Sequence, residues 1–479
     1  MPGEPDESAH QNASTNRDAC LGTLANTAGN TLTNPNTNAL SMYINEKKNL
    51  FHRPRGQSNP YRVMLLILII VVLIAVLRSY AQGEIWPPFV PTPTPTRTVN
   101  SYVVEGSTHF QAGNLEKAIE SYQKAMALEP NNPEIMVELA KIQVYSSNTL
   151  TTDAERRQRW AEALEVIDQA KAIAPNNADV LATRAFVLNW NANPILAGDR
   201  AVDLQNEAES EALMALQLDG RNPLALAYYT EILTDQYKWV QAQQYMAQAM
   251  EYGPQYMDVH RVQAYLYEVL GEYNLAIQEY QKAIEINPKL TFLYYSVGRL
   301  YRHLQQYDVA LEYFDKAANL NEQLGIKDPI HYMLIANTYV RMGEAMVASR
   351  NAYKALTLSP YNADTYGQVG VIYYMARNYE GSIPLLKCAV EGCDAAGSCE
   401  ARECDPETDE QIVIQGLPLS DTTVTYYYIY GSVLAGLHRP GDDKCDKALE
   451  ILAQVRAQYA DNPTIMGIVE SSEAICTDD

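Results

Sequence analysis

The sequence predicts an all-α protein, a solenoid of about nine helix hairpins with a capping helix and one transmembrane helix. The first observation behind this prediction is an internal period near 34 residues, marked by alanines over most of the chain. The second is an uninterrupted apolar run, VMLLILIIVVLIAVL, from Val63 to Leu77. The third is the composition, because 47% hydrophobic and 20% charged residues exclude a wholly disordered chain.

Residues 1–60 are rich in asparagine and threonine, as in NTAGNTLTNPNTNAL, and contain few large apolar side chains. Such a segment cannot bury enough apolar surface to offset the entropy lost on folding. We therefore expect a disordered tail, which the charges beside the apolar run assign to the cytoplasm.

Residues 61–81 are predicted to form the transmembrane helix. The fifteen apolar residues alone are too short, but the twenty from Tyr61 to Tyr80 span about 30 Å at ~1.5 Å per residue. Basic residues are more frequent before the run than after it: Lys47, Lys48, Arg53, Arg55 and Arg62 against Arg78 and Arg97. The positive-inside rule then places the rest of the chain outside the cytoplasm. Cleavage as a signal peptide at Ser79-Tyr80-Ala81 is the alternative, although about sixty residues precede the run.

Residues 82–98 contain the tract WPPFVPTPTPTRT, in which proline alternates with threonine. Proline-rich segments favour the extended polyproline conformation, at about 3.1 Å per residue. We expect this linker to act as a spacer between the membrane and the domain that follows.

The internal period is carried by columns of small residues. One column is Ala125, Ala170, Ala215, Ala249, Ala283, Ala317, Ala355 and Ala389. Seven residues earlier lies a second column, Ala118, Ala163, Ala208, Ala242, Ala276, Ala310, Ala348 and Ser382. Because residues seven apart share one face of a helix, the columns predict close approach of a neighbouring helix.

Segments such as QAGNLEKAIESYQKA and LGEYNLAIQEYQKAIEINP complete a pattern that resembles tetratricopeptide repeats (TPR). The resemblance covers residues 99–390 as eight repeats and implies a right-handed superhelix of helix hairpins. Residues 417–479 resemble a ninth hairpin followed by a capping helix. The second and third repeats each carry eleven extra residues, which predict lengthened second helices with Asp153 and Asp199 as N-caps.

A Cys-rich insertion at residues 391–416 interrupts the pattern. Six cysteines lie in the predicted outer part of the chain: Cys388, Cys393, Cys399, Cys404, Cys445 and Cys476. An even number in an oxidising compartment predicts three disulfides, whose connectivity stays open. A zinc site is the alternative, but the C-x4-C-x5-C-x4-C spacing differs from that of the usual zinc sites. Cys20 lies in the predicted cytoplasmic tail.

The sequence contains none of the common catalytic patterns, neither H-E-x-x-H nor G-x-S-x-G nor a phosphate-binding Gly-Lys loop. We therefore predict that the protein is not an enzyme and needs no metal and no cofactor. The chain after Arg78 holds 29 basic and 53 acidic residues, a net charge of −24. Because nucleic acids are bound through basic surfaces, this charge argues against them as partners.

The family resemblance also implies a peptide-binding groove, lined by the first helix of each hairpin. Carried onto this chain, it gives Arg261, Tyr265, Phe292, Tyr295, Arg299, Arg302, His303, Asn337, Arg341 and Tyr374. Four arginines on one face of an acidic domain favour an acidic or carboxylate-ended peptide. Ion pairs with neighbouring aspartates and glutamates are the alternative role of these arginines. The lysine and asparagine clamp of chaperone-binding relatives is not reproduced position by position.

Together these features predict a single-pass protein of the cell membrane that binds a protein or peptide outside the cytoplasm. Its expected role is the assembly or retention of an envelope complex. A structural stalk at the cell surface is a second hypothesis, suggested by the Pro-Thr spacer and the acidic exterior. A non-catalytic subunit that docks substrates for an envelope enzyme is a third.

Overall fold

The computed structural model describes residues 59–81, 97–405 and 407–477. The first of these segments contains helix α1 (Pro60–Ala81), and the other two belong to a separate compact unit. Most of the predicted tail, most of the predicted linker and Cys20 lie outside the described residues.

Helix α1 is long and apolar enough to cross a membrane. Its mean hydropathy over Pro60–Ser79 is 2.8, and none of that stretch is buried within the protein. The described residues contain one helix of this kind.

The second unit is built from helix hairpins, each with a first helix packed along a second. The first four hairpins are α2 (Val99–Gln111) with α3 (Leu115–Leu128), α4 (Pro133–Ser146) with α5 (Asp153–Ile173), α6 (Ala178–Asn191) with α8 (Ala201–Leu218), and α9 (Pro223–Asp235) with α10 (Trp239–Tyr252). The short helix α7 (Pro194–Ala197) lies between α6 and α8 in the chain. The next four are α11 (Met257–Val269) with α12 (Tyr273–Ile286), α13 (Thr291–His303) with α14 (Tyr307–Leu324), α15 (Ile330–Met342) with α16 (Ala345–Leu358), and α17 (Ala363–Met375) with α18 (Tyr379–Val390).

The two small-residue columns lie along the second helices, and every member of both columns is fully buried. Several first helices carry glycine where the second helix carries a large side chain. A Cβ atom added at Gly298 would lie 2.3 Å from a ring carbon of Phe314. The two helices can approach this closely because glycine has no side chain. The helical register predicted from the columns is therefore confirmed.

The extra residues of the second and third repeats extend the helical structure, but the two expected caps are wrong. The N-cap of α5 is Thr152, which forms a capping box with Glu155, and Asp153 is already helical. The extended backbone of Thr152, with φ −87° and ψ 148°, is what a capping side chain needs. Asp199 lies in a 3-10 turn (Gly198–Arg200) before α8, whose start has no side-chain cap.

The Cys-rich insertion contains a short antiparallel pair of strands that the sequence did not predict. Strand β1 (Gly392–Cys393) pairs with β2 (Ile414–Gln415), and helix α19 (Ala395–Arg402) lies between them in the chain. A further hairpin follows, α20 (Val424–Gly436) with α21 (Lys444–Tyr459), and α22 (Pro463–Thr477) packs against both helices.

The six cysteines of the described residues form three pairs. They are Cys388–Cys393, Cys399–Cys404 and Cys445–Cys476, with Cα atoms 4.8, 4.9 and 5.4 Å apart. The first two pairs close short loops in and beside the insertion, and the third joins α21 to α22. The C-terminal helix is thereby tied to the last hairpin.

Candidate functional site

The solenoid closes on itself through its second repeat. Tyr145, near the end of α4, stacks on Phe292 at the start of α13 with ring centroids 5.7 Å apart. The Tyr145 hydroxyl also donates to Asp258 Oδ2 at 2.6 Å, across 113 positions of the chain. Two further hydrogen bonds join the turn after α4 to the eighth and ninth repeats, from Asn362 to Thr151 and from Thr422 to Asp153.

Arg261 is buried at this closure, with 6% of its surface exposed. Its Nη1 and Nη2 donate to Glu231 at 2.9 and 2.8 Å, and its Nε donates to Asp258 at 3.0 Å. Burial opposes the charge, but the two carboxylates raise the pKa of Arg261 above its usual range. Ion pairing, the alternative that the sequence left open, therefore describes this residue.

Two predicted groove aromatics are also buried, Phe292 at 7% and Tyr295 at 3% exposure. The Tyr295 hydroxyl donates to Asp328 at 2.6 Å, and burial raises the pKa of Tyr295. The polar groups of Arg261 and Tyr295 are thus already satisfied by partners inside the protein.

The superhelix contains a half-open cavity of about 1010 Å³, which we call the main cavity. The last turns of α6, α9 and α11 contribute to its walls. Its lining includes Trp160, Trp190, Asp235, Tyr265, Glu268 and Arg299, as well as Phe292 and Arg261. Tyr145 lines it too, and also lines a second cavity of about 610 Å³.

Asp235, which sequence reasoning missed, is the most perturbed acid of the main cavity. The Tyr265 hydroxyl donates to it at 2.6 Å and the Asn189 side-chain amide at 2.7 Å. Burial, reinforced by the charge of Glu231, raises the pKa of Asp235 to about 6. The sequence did contain a signal for this acid, because polar residues recur in the last turn of three successive first helices, α6, α9 and α11.

Glu268 is a second missed acid on the same wall. Burial raises its pKa, while the charges of Arg299 and His303 act in the opposite direction. Tyr280 donates to this carboxylate at 3.3 Å. The main cavity therefore combines partly desolvated carboxylates with aromatic side chains and one exposed arginine.

Arg299, Arg302 and Arg341, on α13 and α15, form what we call the arginine cluster. Arg299 and Arg341 are exposed, and half-buried Arg302 donates to the Leu334 carbonyl oxygen at 3.4 Å. Burial, and then repulsion from Arg341 and Arg299, lowers the pKa of Arg302 to about 10, so it stays charged at neutral pH. Within residues 59–81, 97–405 and 407–477, no carboxylate lies at ion-pair distance from any of the three.

The remaining predicted groove residues are His303, Asn337 and Tyr374. His303 is exposed, with its ring 4.5 Å from that of Tyr273, whereas Asn337 and Tyr374 are half-buried. None of the three lines either cavity. The predicted residues are therefore divided between the main cavity, the arginine cluster, the protein interior and positions nearer the surface that line neither cavity.

Sequence comparison supplies the family of the hairpins. A family model described as TPR repeat matches residues 106–144, and a model of the tetratricopeptide repeat matches residues 262–290 and 293–324. The chain contains tetratricopeptide repeats. The matched segments cover parts of the first and second hairpins and most of the fifth and sixth, and the sixth carries Arg299 and Arg302. No curated protein matches the sequence.

Several solved structures are similar to this TPR chain, all at low sequence identity. A tetratricopeptide repeat protein from Parabacteroides merdae is 17% identical, with a TM-score of 0.34, over 58% of this chain and 99% of that one. A TPR protein from Thermus thermophilus is 17% identical, with a TM-score of 0.35, over 42% and 98%. Yeast Tom70 is 12% identical, with a TM-score of 0.45, over 79% and 89%.

Proposed function

We propose that the protein is a membrane-anchored TPR scaffold that binds an acidic or carboxylate-ended segment of a partner polypeptide outside the cytoplasm. Repeat solenoids present extended surfaces for partner binding rather than catalytic centres. The arginine cluster is the observation that carries this proposal, because it offers three positive charges that form no ion pair with any of the described residues.

The cluster does not result from a shortage of carboxylates, since the chain has 58 acidic and 36 basic residues. Other arginines of the solenoid are neutralised in ion pairs, among them Arg159 with Glu116, Arg184 with Asp168 and Glu207, and Arg456 with Glu473. Guanidinium groups bind carboxylates through paired, charge-assisted hydrogen bonds. A ligand carboxylate would supply the missing partner.

The test reverses the two exposed charges in the double variant Arg299→Glu, Arg341→Glu. The probe is a fluorescein-labelled glutamate-rich heptapeptide with a free carboxylate, and its amide serves as a second probe. Fluorescence anisotropy should show affinity lower by at least about tenfold in the variant, since charge repulsion replaces attraction. Added salt should weaken wild-type binding.

The matched control is Arg157→Glu, Arg350→Glu. Both arginines are exposed on second helices, α5 and α16, and the change in net charge is the same. This control should bind the peptide as the wild type does. An equal loss in both double variants would contradict the proposal, because it would show a general effect of net charge.

Helix α1 supplies the anchor in this proposal. Its support is the apolar length of the helix and the excess of basic residues on its N-terminal side. In a Cys20→Ser background, one cysteine is placed at Ser14 or at exposed Glu251, and intact cells are treated with an impermeant maleimide. Glu251→Cys should react and Ser14→Cys should react only after lysis, with the parent chain as blank. The reverse pattern would contradict this topology.

The anchor helix α1 and the arginine cluster together support a role in the assembly or retention of an envelope complex. An anchor confines the scaffold to the membrane surface, and confinement raises the effective concentration of scaffold and partner for each other. The anchor would therefore hold a weakly bound partner close to the membrane.

A further inference from the structure

The wall of the main cavity is electrostatically negative where three first helices end. Trp190 of α6, Asp235 of α9 and Val269 of α11 all line the cavity and lie in the last turns of their helices. Helix C-termini carry a partial negative charge from their free carbonyl groups. Glu268 adds its carboxylate to the same wall, whereas the carboxylate of Glu231 is neutralised by Arg261, so Asp235 and Glu268 are the carboxylates that favour a cation here.

Asp235 forms no ion pair among the described residues, although the charge of Arg261 acts on it from beyond contact distance. Its hydrogen bonds come from two neutral donors, the Tyr265 hydroxyl and the Asn189 amide. In the described part of the chain, no lysine, arginine or histidine lies at ion-pair distance from it. Asp235 is half-buried, and because desolvated carboxylates are normally paired with a positive group, this site lacks the component that would stabilise its charge.

A second, independent observation concerns Asn189, which lines the same cavity and is 7% exposed. Its Oδ1 atom has no hydrogen-bond donor. Nearly all buried acceptors in folded proteins are satisfied. An unpaired acceptor beside a carboxylate that forms no ion pair favours a ligand that donates hydrogen bonds, while the unpaired Trp190 Nε1 on the same lining can donate to an acceptor group of that ligand.

The aromatic lining suits the rest of such a ligand. The rings of Trp160 and Trp190 lie 6.3 Å apart, edge to face, and Tyr265 lies on the same lining. Aromatic faces attract cations and pack well against the methylene stem of a long basic side chain. The volume of about 1010 Å³ admits such a side chain with ordered water.

We propose that the main cavity binds the lysine or arginine side chain of the partner polypeptide, with Asp235 and Asn189 accepting hydrogen bonds from its cationic head. The inference rests on the proposed function for the partner being a polypeptide. Arg299 belongs to both the cavity lining and the arginine cluster. The preferred ligand is therefore a segment that carries a basic residue close to an acidic or carboxyl end.

The test uses the full-length protein in detergent micelles and three small probes. They are the Nα-acetyl, N-methylamide derivatives of lysine, arginine and norleucine, of which norleucine matches the lysine stem without its charge. The affinity of each probe is measured by titration, with saturation-transfer NMR as the readout. At least one cationic probe should bind about tenfold or more tightly than norleucine. If the norleucine derivative bound as tightly as both cationic probes, the inference would be overturned.

Asp235→Asn should abolish the preference for the cationic probe. The matched control is Asp308→Asn, an exposed aspartate on α14 that lines neither cavity and should leave binding unchanged. If Asp235→Asn does not fold, Glu268→Gln is used and should weaken the cationic probe without affecting norleucine. If the variant used, Asp235→Asn or Glu268→Gln, is folded and still binds the cationic probe with wild-type affinity, the inference is overturned.

The failure of this inference is distinguishable from that of the proposed function. Arg341 does not line the main cavity, so Arg341→Glu should bind the cationic probe normally while it loses the acidic heptapeptide. Cationic binding with no acidic-peptide binding would leave the cavity assignment intact and remove the proposed function. Acidic-peptide binding without a cationic preference would do the opposite.

Discussion

Asp235 is a residue whose charge is unfavourable in the folded protein. The groups that face it are Glu231 on its own helix, Arg261 and Tyr265 on α11, and Asn189 on α6. Its pKa is raised from 3.8 to about 6 by burial and by Glu231. A raised pKa means that folding favours the protonated acid, so the stabilisation present at low pH is lost as the pH rises through about 6.

The first prediction is that Asp235→Asn stabilises the unliganded protein at neutral pH. Removing a desolvated charge should raise the free energy of unfolding by on the order of 2 kcal/mol. The gain should shrink as the pH falls from about 7 to about 4, where wild-type Asp235 is itself neutral. Thermal or urea unfolding at several pH values measures this, with Asp308→Asn as the control. Destabilisation at every pH would contradict the assignment of an uncompensated charge.

The position of Arg261 and the possibility of its ion pairing could be predicted from the sequence, but its burial could not. Its position on the inner face followed from the repeat, and the alternative of ion pairing was recognised. Its partner Glu231 lies 30 residues earlier, on the preceding first helix. Opposite charges on successive first helices are a readable signal, but burial behind Tyr145 depends on the closed superhelix and cannot be read from local spacing.

At the scale of the element, the hairpins depend on glycines that admit large side chains. The second prediction is that Gly298→Ala destabilises the protein, because the added methyl group would lie 2.3 Å from the Phe314 ring. Overpacking of this kind costs about 1 to 3 kcal/mol. Chemical denaturation of the solenoid measures the loss.

The control for Gly298→Ala is Gly467→Ala in α22, where the added methyl group meets open space. Alanine is the better helix former by about 1 kcal/mol, so this variant should be neutral or slightly more stable. If both variants were stabilised, the close packing of α13 on α14 would be contradicted.

Most of the hairpin elements could be predicted from sequence because each repeat is a local unit. The small-residue columns specify which helical face is buried, and their spacing survives the eleven-residue insertions. Cap positions were less predictable, because Thr152 and Asp153 both have suitable side chains and the backbone decides between them. The strands β1 and β2 are two residues each, too short for any periodic signal.

At the scale of the whole molecule, the closure should control how open the solenoid is. The third prediction is that Tyr145→Ala increases the radius of gyration in small-angle scattering and speeds proteolysis of the second repeat. The variant loses the stack on Phe292 and the hydrogen bond to Asp258 together. Tyr430→Ala is the control, since Tyr430 is also buried but lies in the last hairpin. Equal expansion of both variants would contradict a specific role for the closure.

The fourth prediction concerns the cysteines that follow helix α1 in the chain. Mass spectrometry of the unreduced protein should find Cys388–Cys393, Cys399–Cys404 and Cys445–Cys476 linked, and one free thiol at Cys20. Reduction should then loosen α22, because the third pair joins it to α21. Free thiolates with a stoichiometric metal would contradict the disulfides and favour the zinc alternative.

The self-contact of the superhelix also constrains how the protein can change in evolution. An open solenoid gains or loses repeats easily, because each repeat touches only its neighbours. Here hydrogen bonds join residues that are 113 and 269 positions apart. Deleting the third or fourth hairpin, which lies between the partners of every closing bond, would move Tyr145 away from Phe292 and separate those partners. The repeat number between the second and ninth hairpins is thus fixed by geometry, and unfolding should be one cooperative event instead of fraying from an end.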